Sequence, residues 1–331
     1  MASIAHGGKL SEARRLFPDA PEPWLDLSTG INPDAYPLPA LALECFARLP
    51  DPEDLDRLLS AAADAYHVRD RAMLAAAPGT QILIELLPKL WPEPSVRILG
   101  PTYTEHARAW ARAGIKTSEV TSFEALSEAN VAVLCNPNNP DGRRFAPEHL
   151  LRLADRLAEH RGLLVVDEAF ADLEDDRLSL APALPHPSLI VLRSFGKTYG
   201  LAGLRLGFAL GAPDRILRIR DSLGPWAVSG PAIAVGQQAL RDQAWLTMTR
   251  ERLAHRREEL DAVLSDRGLN VVGGTRLFRL IVTENAPALF AQLGGAGIFV
   301  RRFAGQPRWL RLGQPGSDAN VERLKAALRR P

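Results

Sequence analysis

Short apolar runs alternate with helical stretches through the middle of this chain, and that alternation restricts the fold more than any other feature. Residues 96–99 (VRIL), 131–135 (VAVLC), 163–166 (LLVV) and 189–192 (LIVL) are almost uninterruptedly apolar. Runs this short and this apolar read as strands covered on both faces. Between them, 105–113 and 147–160 carry helical periodicity, the second with proline in its first turn. Strands separated by helices need crossover connections, so the pattern predicts an α/β fold with a mostly parallel sheet. In such sheets ligands sit at the carboxyl ends of the strands.

The rest of the chain fits around that unit. Residues 1–36 read as loop, punctuated by Gly7-Gly8, Pro18, Pro21, Pro23, Gly30 and Pro33. A helix is expected over 81–91 after Gly79-Thr80, and a further strand over 206–210. Beyond Gly230 the texture becomes α+β. Helical stretches at 231–241 and 243–266 precede strands at 269–272, 277–282, 298–301 and 309–312, with helices near 286–293 and from Asp318.

Composition excludes several classes of function. A net charge of +1, with no block of five like charges, argues against a nucleic-acid partner. The N-terminus lacks a charged segment followed by an apolar one, and no apolar run approaches ~18 residues, so neither a signal peptide nor a membrane span is expected. Cys45 and Cys135 stand far apart without metal-ligand spacing. They read as reduced thiols of a cytoplasmic protein with no metal site.

Chemistry concentrates at Ser194-Phe195-Gly196-Lys197-Thr198 and the following Gly203-Leu204-Arg205-Leu206-Gly207. A lysine in a small-residue turn suits an amine that forms a Schiff base with an aldehyde cofactor, while Ser194 and Arg205 can hold an anion nearby. A phosphate-binding P-loop would need glycine where Val191 stands, which removes that reading. Four motifs precede the lysine. Pro78-Gly79-Thr80-Gln81 opens a helix whose amides can bind phosphate. Gly100-Pro101-Thr102-Tyr103 puts an aromatic ring after a strand. Cys135-Asn136-Pro137-Asn138-Asn139-Pro140-Asp141-Gly142 closes another strand, and Val166-Asp167-Glu168-Ala169-Phe170 ends a third with an acid. Each alone is a cap, a turn or a packed ring; five in order at strand ends are specific.

Together these motifs resemble the fold-type I pyridoxal-phosphate enzymes, the aspartate-aminotransferase superfamily, along nearly the entire chain. The resemblance implies a large domain with a seven-stranded, mainly parallel sheet over 37–229, and a small domain built from 1–36 and 230–331. It implies that Gly79, Thr80, Gln81, Ser194 and Arg205 hold the cofactor phosphate. Tyr103 would stack on the ring, Ala169 would pack on its other face, and Asn139 would bond the phenolic oxygen. Asp167 would pair with the pyridine nitrogen, and Lys197 would be the Schiff-base lysine. There are departures. Asp141 replaces a threonine, Phe170 a common tyrosine, and Leu49, in Arg48-Leu49-Pro50-Asp51, a tyrosine that reaches a neighbouring subunit's phosphate.

The chain ends resemble one group within the superfamily. His6-Gly7-Gly8, then Leu25-Asp26-Leu27-Ser28-Thr29-Gly30-Ile31-Asn32-Pro33, is similar to the start of threonine-phosphate decarboxylases of cobalamin biosynthesis, with Gly30 in place of an asparagine. By that resemblance His6, Gly7, Gly30, Asn32, Asn139, Arg301 and Arg311 would bind a doubly anionic substrate, whose carboxylate and phosphate suit arginine forks. It also implies a homodimer and a small phosphorylated amino acid as partner. Histidinol-phosphate aminotransferases share the later motifs but not the His-Gly-Gly start. A non-catalytic pyridoxal-phosphate-binding regulator would need an N-terminal helix-turn-helix for which His6 leaves no room.

Overall fold

The computed structural model describes residues 7–329. Its strands in chain order are β1 (Leu25–Leu27), β2 (Leu74–Ala77), β3 (Val96–Leu99), β4 (Thr117–Val120), β5 (Val131–Cys135), β6 (Leu163–Asp167), β7 (Leu189–Ser194), β8 (Gly207–Gly211), β9 (Asn270–Gly274), β10 (Phe278–Val282), β11 (Ile298–Phe303) and β12 (Gln306–Gly313). They form a seven-stranded sheet ordered β2-β8-β7-β6-β5-β3-β4 and a five-stranded sheet ordered β1-β11-β12-β10-β9. In the larger sheet β8 alone runs antiparallel to its neighbours.

The apolar runs form the middle of that larger sheet, and their side chains divide by period two. Ala132, Leu134, Leu164, Val166, Leu189 and Val191 join one core. Val131, Val133, Leu163, Val165, Ile190 and Leu192 join the core on the opposite face. Helices cover both faces, so alternation is invisible in the sequence: every position is apolar because every position is buried. Pairing of Cys135 with Asp167, and of Asp167 with Leu192, aligns the carboxyl ends of β5, β6 and β7 on one edge.

The chain divides into two compact units. The larger comprises Ala35–Asn139 and Arg143–Thr247; the smaller takes the residues up to Asp34, Pro140–Gly142 and those from Met248 onward. This differs from the expected boundary at 229/230. The helix Gly230–Arg241 buries Ala232, Ile233, Val235, Ala239 and Leu240, and Gly236 lies close to Leu58 and Leu206 of the larger unit. Its apolar face belongs to that core, so the division falls inside the helix Gln243–Ser265.

Four other elements escaped the sequence pattern. The stretch read as loop over 1–36 contains a helix, Leu10–Leu16, and strand β1. The helix has seven residues, too few to display periodicity, yet buries Ala13 completely in the smaller core. Strand β2 is Leu-Ala-Ala-Ala, a composition with weak strand preference that only pairing with β8 makes extended. Strand β4 is a polar edge strand, Thr-Ser-Glu-Val.

Candidate active site

Strand pairing, not sequence proximity, assembles the candidate phosphate cradle. In β8, Gly207 is the register partner of both Ala77 in β2 and Ser194 in β7. The helix Thr80–Leu90 begins two residues beyond β2, so its first amides lie beside Gly207. A Cβ on Gly207 would stand 2.7 Å from the Thr80 nitrogen. Gly79 turns the chain at φ +82, and a Cβ there would collide with the Arg205 guanidinium. Arg205 itself adopts the left-handed backbone conformation at φ +56, which few non-glycine residues enter without a constraint. The result is a glycine-lined helix start flanked by an arginine, where amides and cation suit an anion.

Lys197 lies in a four-residue helical turn, Phe195–Thr198. Phe195 and Tyr199, four residues apart, are buried on one side and stack at 4.3 Å between centroids. Tyr199 stacks in turn on Trp245 at 5.4 Å. Gly196 is required because a Cβ there would come 2.7 Å from the Ala202 Cα. With that side packed, Lys197 stays half-buried and its Nζ donates to Ser194 Oγ at 3.1 Å. The amine also lies 5.3 Å above the Phe170 ring.

Asp167 ends β6 and is buried. Its Oδ2 lies 3.0 Å from His106 Nε2, and its Oδ1 accepts the Ala169 amide at 3.1 Å. Burial favours the neutral acid. The His106 hydrogen bond, the charges of His106 and Lys197 and the Ala169 amide outweigh it and hold the carboxyl below its usual range. For His106 burial opposes the imidazolium, but Asp167 and Cys135 overcome it and push the ring up to about 10. The pair is therefore imidazolium and carboxylate at neutral pH. The His106, Cys135 and Asp167 donor atoms lie within 4.8 Å of one another, and the ring bonds the acid directly.

The other motif residues divide between site and scaffold. Tyr103 donates to Gln81 Oε1 at 3.3 Å, and Gln81 Nε2 donates to Glu85 at 3.0 Å, so the Gln81 side chain steadies the tyrosine. Of the three asparagines after β5, Asn136 and Asn138 are buried. Asn136 exchanges two hydrogen bonds with the Phe145 backbone, and Asn138 bonds Thr102 and the Pro101 carbonyl. Asn139 is half-buried beyond them.

In the smaller unit the geometry centres on Ser28. Its hydroxyl accepts the Gly8 amide at 2.8 Å and its carbonyl accepts from Arg311 at 2.9 Å; a Cβ on Gly7 would collide with that carbonyl. Arg301 and Arg311 are register partners across β11 and β12. Arg311 is 6% exposed and lies 4.8 Å over the Phe278 ring. Burial first, then the charge of Arg301, press on its guanidinium against the pull of Asp26. Gly30 and Asn32 are buried, and Asn32 Oδ1 accepts the Asp34 amide at 3.0 Å. His6 lies outside the described residues.

Comparison with known proteins places this arrangement. The family model described as aminotransferase class I and II matches residues 23–328. This chain belongs to the class I and II aminotransferase family. A threonine-phosphate decarboxylase from a Sinorhizobium species is 44% identical over 331 residues, spanning 99% of this chain and 98% of that protein. The enzyme of the same name from Pseudomonas aeruginosa is 43% identical, spanning 98% and 97%. Among solved structures, histidinol-phosphate aminotransferase from Sinorhizobium meliloti, in complex with pyridoxal-5'-phosphate, superposes with a TM-score of 0.81 at 24% identity, covering 96% of this chain and 92% of that one. The fold is thus the fold-type I α/β fold, with its seven-stranded, mostly parallel sheet.

As a member of the aminotransferase family, the chain contains one contact that the motifs did not reveal. His106 sits one helical turn after Tyr103, in the helix Thr104–Arg112, and its ring centroid is 6.1 Å from the tyrosine's. The signal was present as a histidine three residues past a candidate ring-stacking tyrosine. A histidine on an apolar helix face gives no hint of its partner until β6 is placed beside it. Phe170, the departure from the common tyrosine, is buried and offers a ring face to Lys197.

Proposed function

We propose that this chain uses pyridoxal 5'-phosphate to decarboxylate L-threonine O-3-phosphate, giving (R)-1-aminopropan-2-yl phosphate for cobalamin biosynthesis. The observation that carries this reading is the 44% identity, through 99% of the chain, to a threonine-phosphate decarboxylase. The cofactor fits the residues present. A phosphate suits the glycine-lined start of helix Thr80–Leu90 with Ser194 and Arg205, and an aldehyde suits the Lys197 amine. When bound, pyridoxal phosphate supplies an electron sink for the pair left by the departing carboxylate.

The chain's own residues then have distinct tasks. Lys197 would anchor the cofactor, and either its amine or a water would return a proton to Cα. Asp167, kept ionised by His106, holds the proton on the pyridine nitrogen. Tyr103 would stack on the ring, Ala169 would pack against its other face, and Asn139 would donate to the phenolic oxygen. Gly79, Thr80 and Gln81 give backbone amides to the phosphate, the Gln81 side chain being engaged with Tyr103 and Glu85. By the resemblance, His6, Gly7, Gly30, Asn32, Asn139, Arg301 and Arg311 would bind the substrate's carboxylate and phosphate. The residues that hold the substrate's two anions would set its orientation, and that orientation would select which bond at Cα is broken.

A homodimer in the cytoplasm completes the reading. Leu38, Leu43, Phe46 and Leu49 lie 63%, 75%, 63% and 67% exposed along one segment, an apolar stretch suited to cover by a second copy. Cys45 and Cys135 are free thiols, and no helix among the described residues is long and apolar enough to cross a membrane. The deciding assay measures carbon dioxide released from L-threonine O-3-phosphate and L-serine O-phosphate, beside transamination of histidinol phosphate. Carbon dioxide from a phosphoamino acid is the expected outcome. Transamination of histidinol phosphate without carbon dioxide from either phosphoamino acid would overturn it.

A further inference from the structure

A second cluster of buried charge lies directly behind the lysine turn, and the chemistry described so far does not use it. Arg193, 5% exposed, donates from one guanidinium nitrogen to Glu168 Oε2 at 2.6 Å and Ser179 Oγ at 3.1 Å. From the other it donates to Asp172. Asp172 Oδ2 accepts the Thr198 hydroxyl at 2.9 Å. Glu168 also accepts from the Ser179 hydroxyl and the Leu180 amide, each at 2.7 Å. The guanidinium is 4.5 Å over the Tyr66 ring.

The cluster interleaves with the site along the chain. Glu168 follows Asp167, Arg193 precedes Ser194, and Thr198 follows Lys197. Three segments thus each contribute one residue to the site and its neighbour to the cluster. Burying a cation with two acids is costly relative to apolar packing, and such a group persists where geometry matters. Arginine suits the task because its planar fork presents donors to two carboxylates in a fixed geometry. The aromatic stack of Phe195 and Tyr199 sets how deep the lysine turn lies. A hydrogen bond is directional where stacking is not, and Thr198 supplies one on the turn itself.

We propose that the chain of contacts Arg193, Asp172, Thr198 is a positioning device for the Lys197 amine. Through the Arg193–Glu168 bond it ties the turn that carries the amine to the strand end that carries Asp167, setting the amine's place before any cofactor arrives. Arg193, Asp172 and Thr198 are positioning residues and touch no substrate. The inference rests on reading Lys197 as the amine that bonds the cofactor.

Arg193→Met would strand two buried acids and risks misfolding, so the test uses Thr198→Val, which keeps shape and removes the hydroxyl. Thr198→Ser restores the donor. Three measurements on apoprotein are needed: the melting temperature, the pH dependence of Lys197 labelling by acetic anhydride, and the rate at which added pyridoxal 5'-phosphate becomes borohydride-reducible. Loss of a hydrogen bond to a charged acceptor should slow capture about tenfold in Thr198→Val. The labelling midpoint should move with it, and Thr198→Ser should recover both. A lower melting temperature with capture and labelling unchanged would overturn the proposal, leaving Thr198 as packing alone. A separate control isolates the underlying reading. If Lys197→Ala still captures the cofactor reducibly, the amine is elsewhere, and the proposal goes with it whatever Thr198→Val does.

Discussion

The carboxyl edge of the larger sheet and the arginine-bearing strands of the smaller one treat buried charge in opposite ways. Around Lys197 the buried charges meet partners of opposite sign within the same unit: Asp167 with His106, and Arg193 with Glu168 and Asp172. On β11 and β12, Arg301 and Arg311 face each other in register with like charge, and burial deepens the strain on Arg311. A self-paired group is held in place with or without ligand, which is what a preorganised cofactor site requires. Two cations in register repel each other across the strands, and arginine forks match carboxylate and phosphate. The contrast fits the proposed reading, in which the larger unit would hold the cofactor and the arginine-bearing strands would meet the substrate's anions.

The largest expected effect tests the first half of that contrast. Lys197→Ala should lower turnover on the order of 10⁴-fold or more, the scale of removing a covalent participant. It should also abolish the visible band that borohydride bleaches. A retained, reducible band would place the anchoring amine elsewhere.

Next comes the arginine pair. Arg311→Ala should lower kcat/KM for the phosphoamino acid about 10²-fold, and Arg301→Ala, half-buried, about tenfold. Cofactor affinity should stay unchanged in both, measured by absorbance titration. Near-normal decarboxylation by Arg311→Ala would remove it from anion binding and break the comparison.

The Asp167–His106 pair gives a pH-dependent test. The folded protein holds the His106 proton to about 10, against an ordinary value of 6.5. The pair's contribution to stability is therefore full below pH 6.5 and lost as pH rises towards 10. His106→Gln should destabilise the apoprotein by about 1–3 kcal/mol at neutral pH, the scale of stranding a buried acceptor. It should also flatten the decline between 6.5 and 10, as read by urea unfolding at several pH values. An equally steep decline in the variant would show that the histidine is not the titrating group.

The smallest effect sharpens the cofactor site. Phe170→Tyr adds the hydroxyl that the resemblance leads one to expect there, and should tighten cofactor binding by about 0.5–1.5 kcal/mol. Unchanged affinity would mean that the added hydroxyl finds no acceptor on the cofactor.

Much of this molecule was legible in the order of residues. Four apolar runs and their intervening helices determined a parallel sheet, because a strand buried on both faces must be apolar throughout. The glycines at 79 and 196 were marked by backbone demands, because close approach and a positive φ leave few residues to choose from. What the sequence left open depended on contacts between distant segments. His106 became part of the site only when β6 brought Asp167 within 3.0 Å, sixty-one residues away. Arg193, just past the apolar run at 189–192, carried no signal of its own until Glu168, Asp172 and Thr198 closed around it. The helix Gly230–Arg241 looked like the start of the smaller unit because its amphipathicity names an apolar face but not the core that receives it. Periodicity and backbone constraint are local, so the sequence alone determined them. Charge partners and core membership are settled by which strands pair, and that was decided only in the tertiary structure.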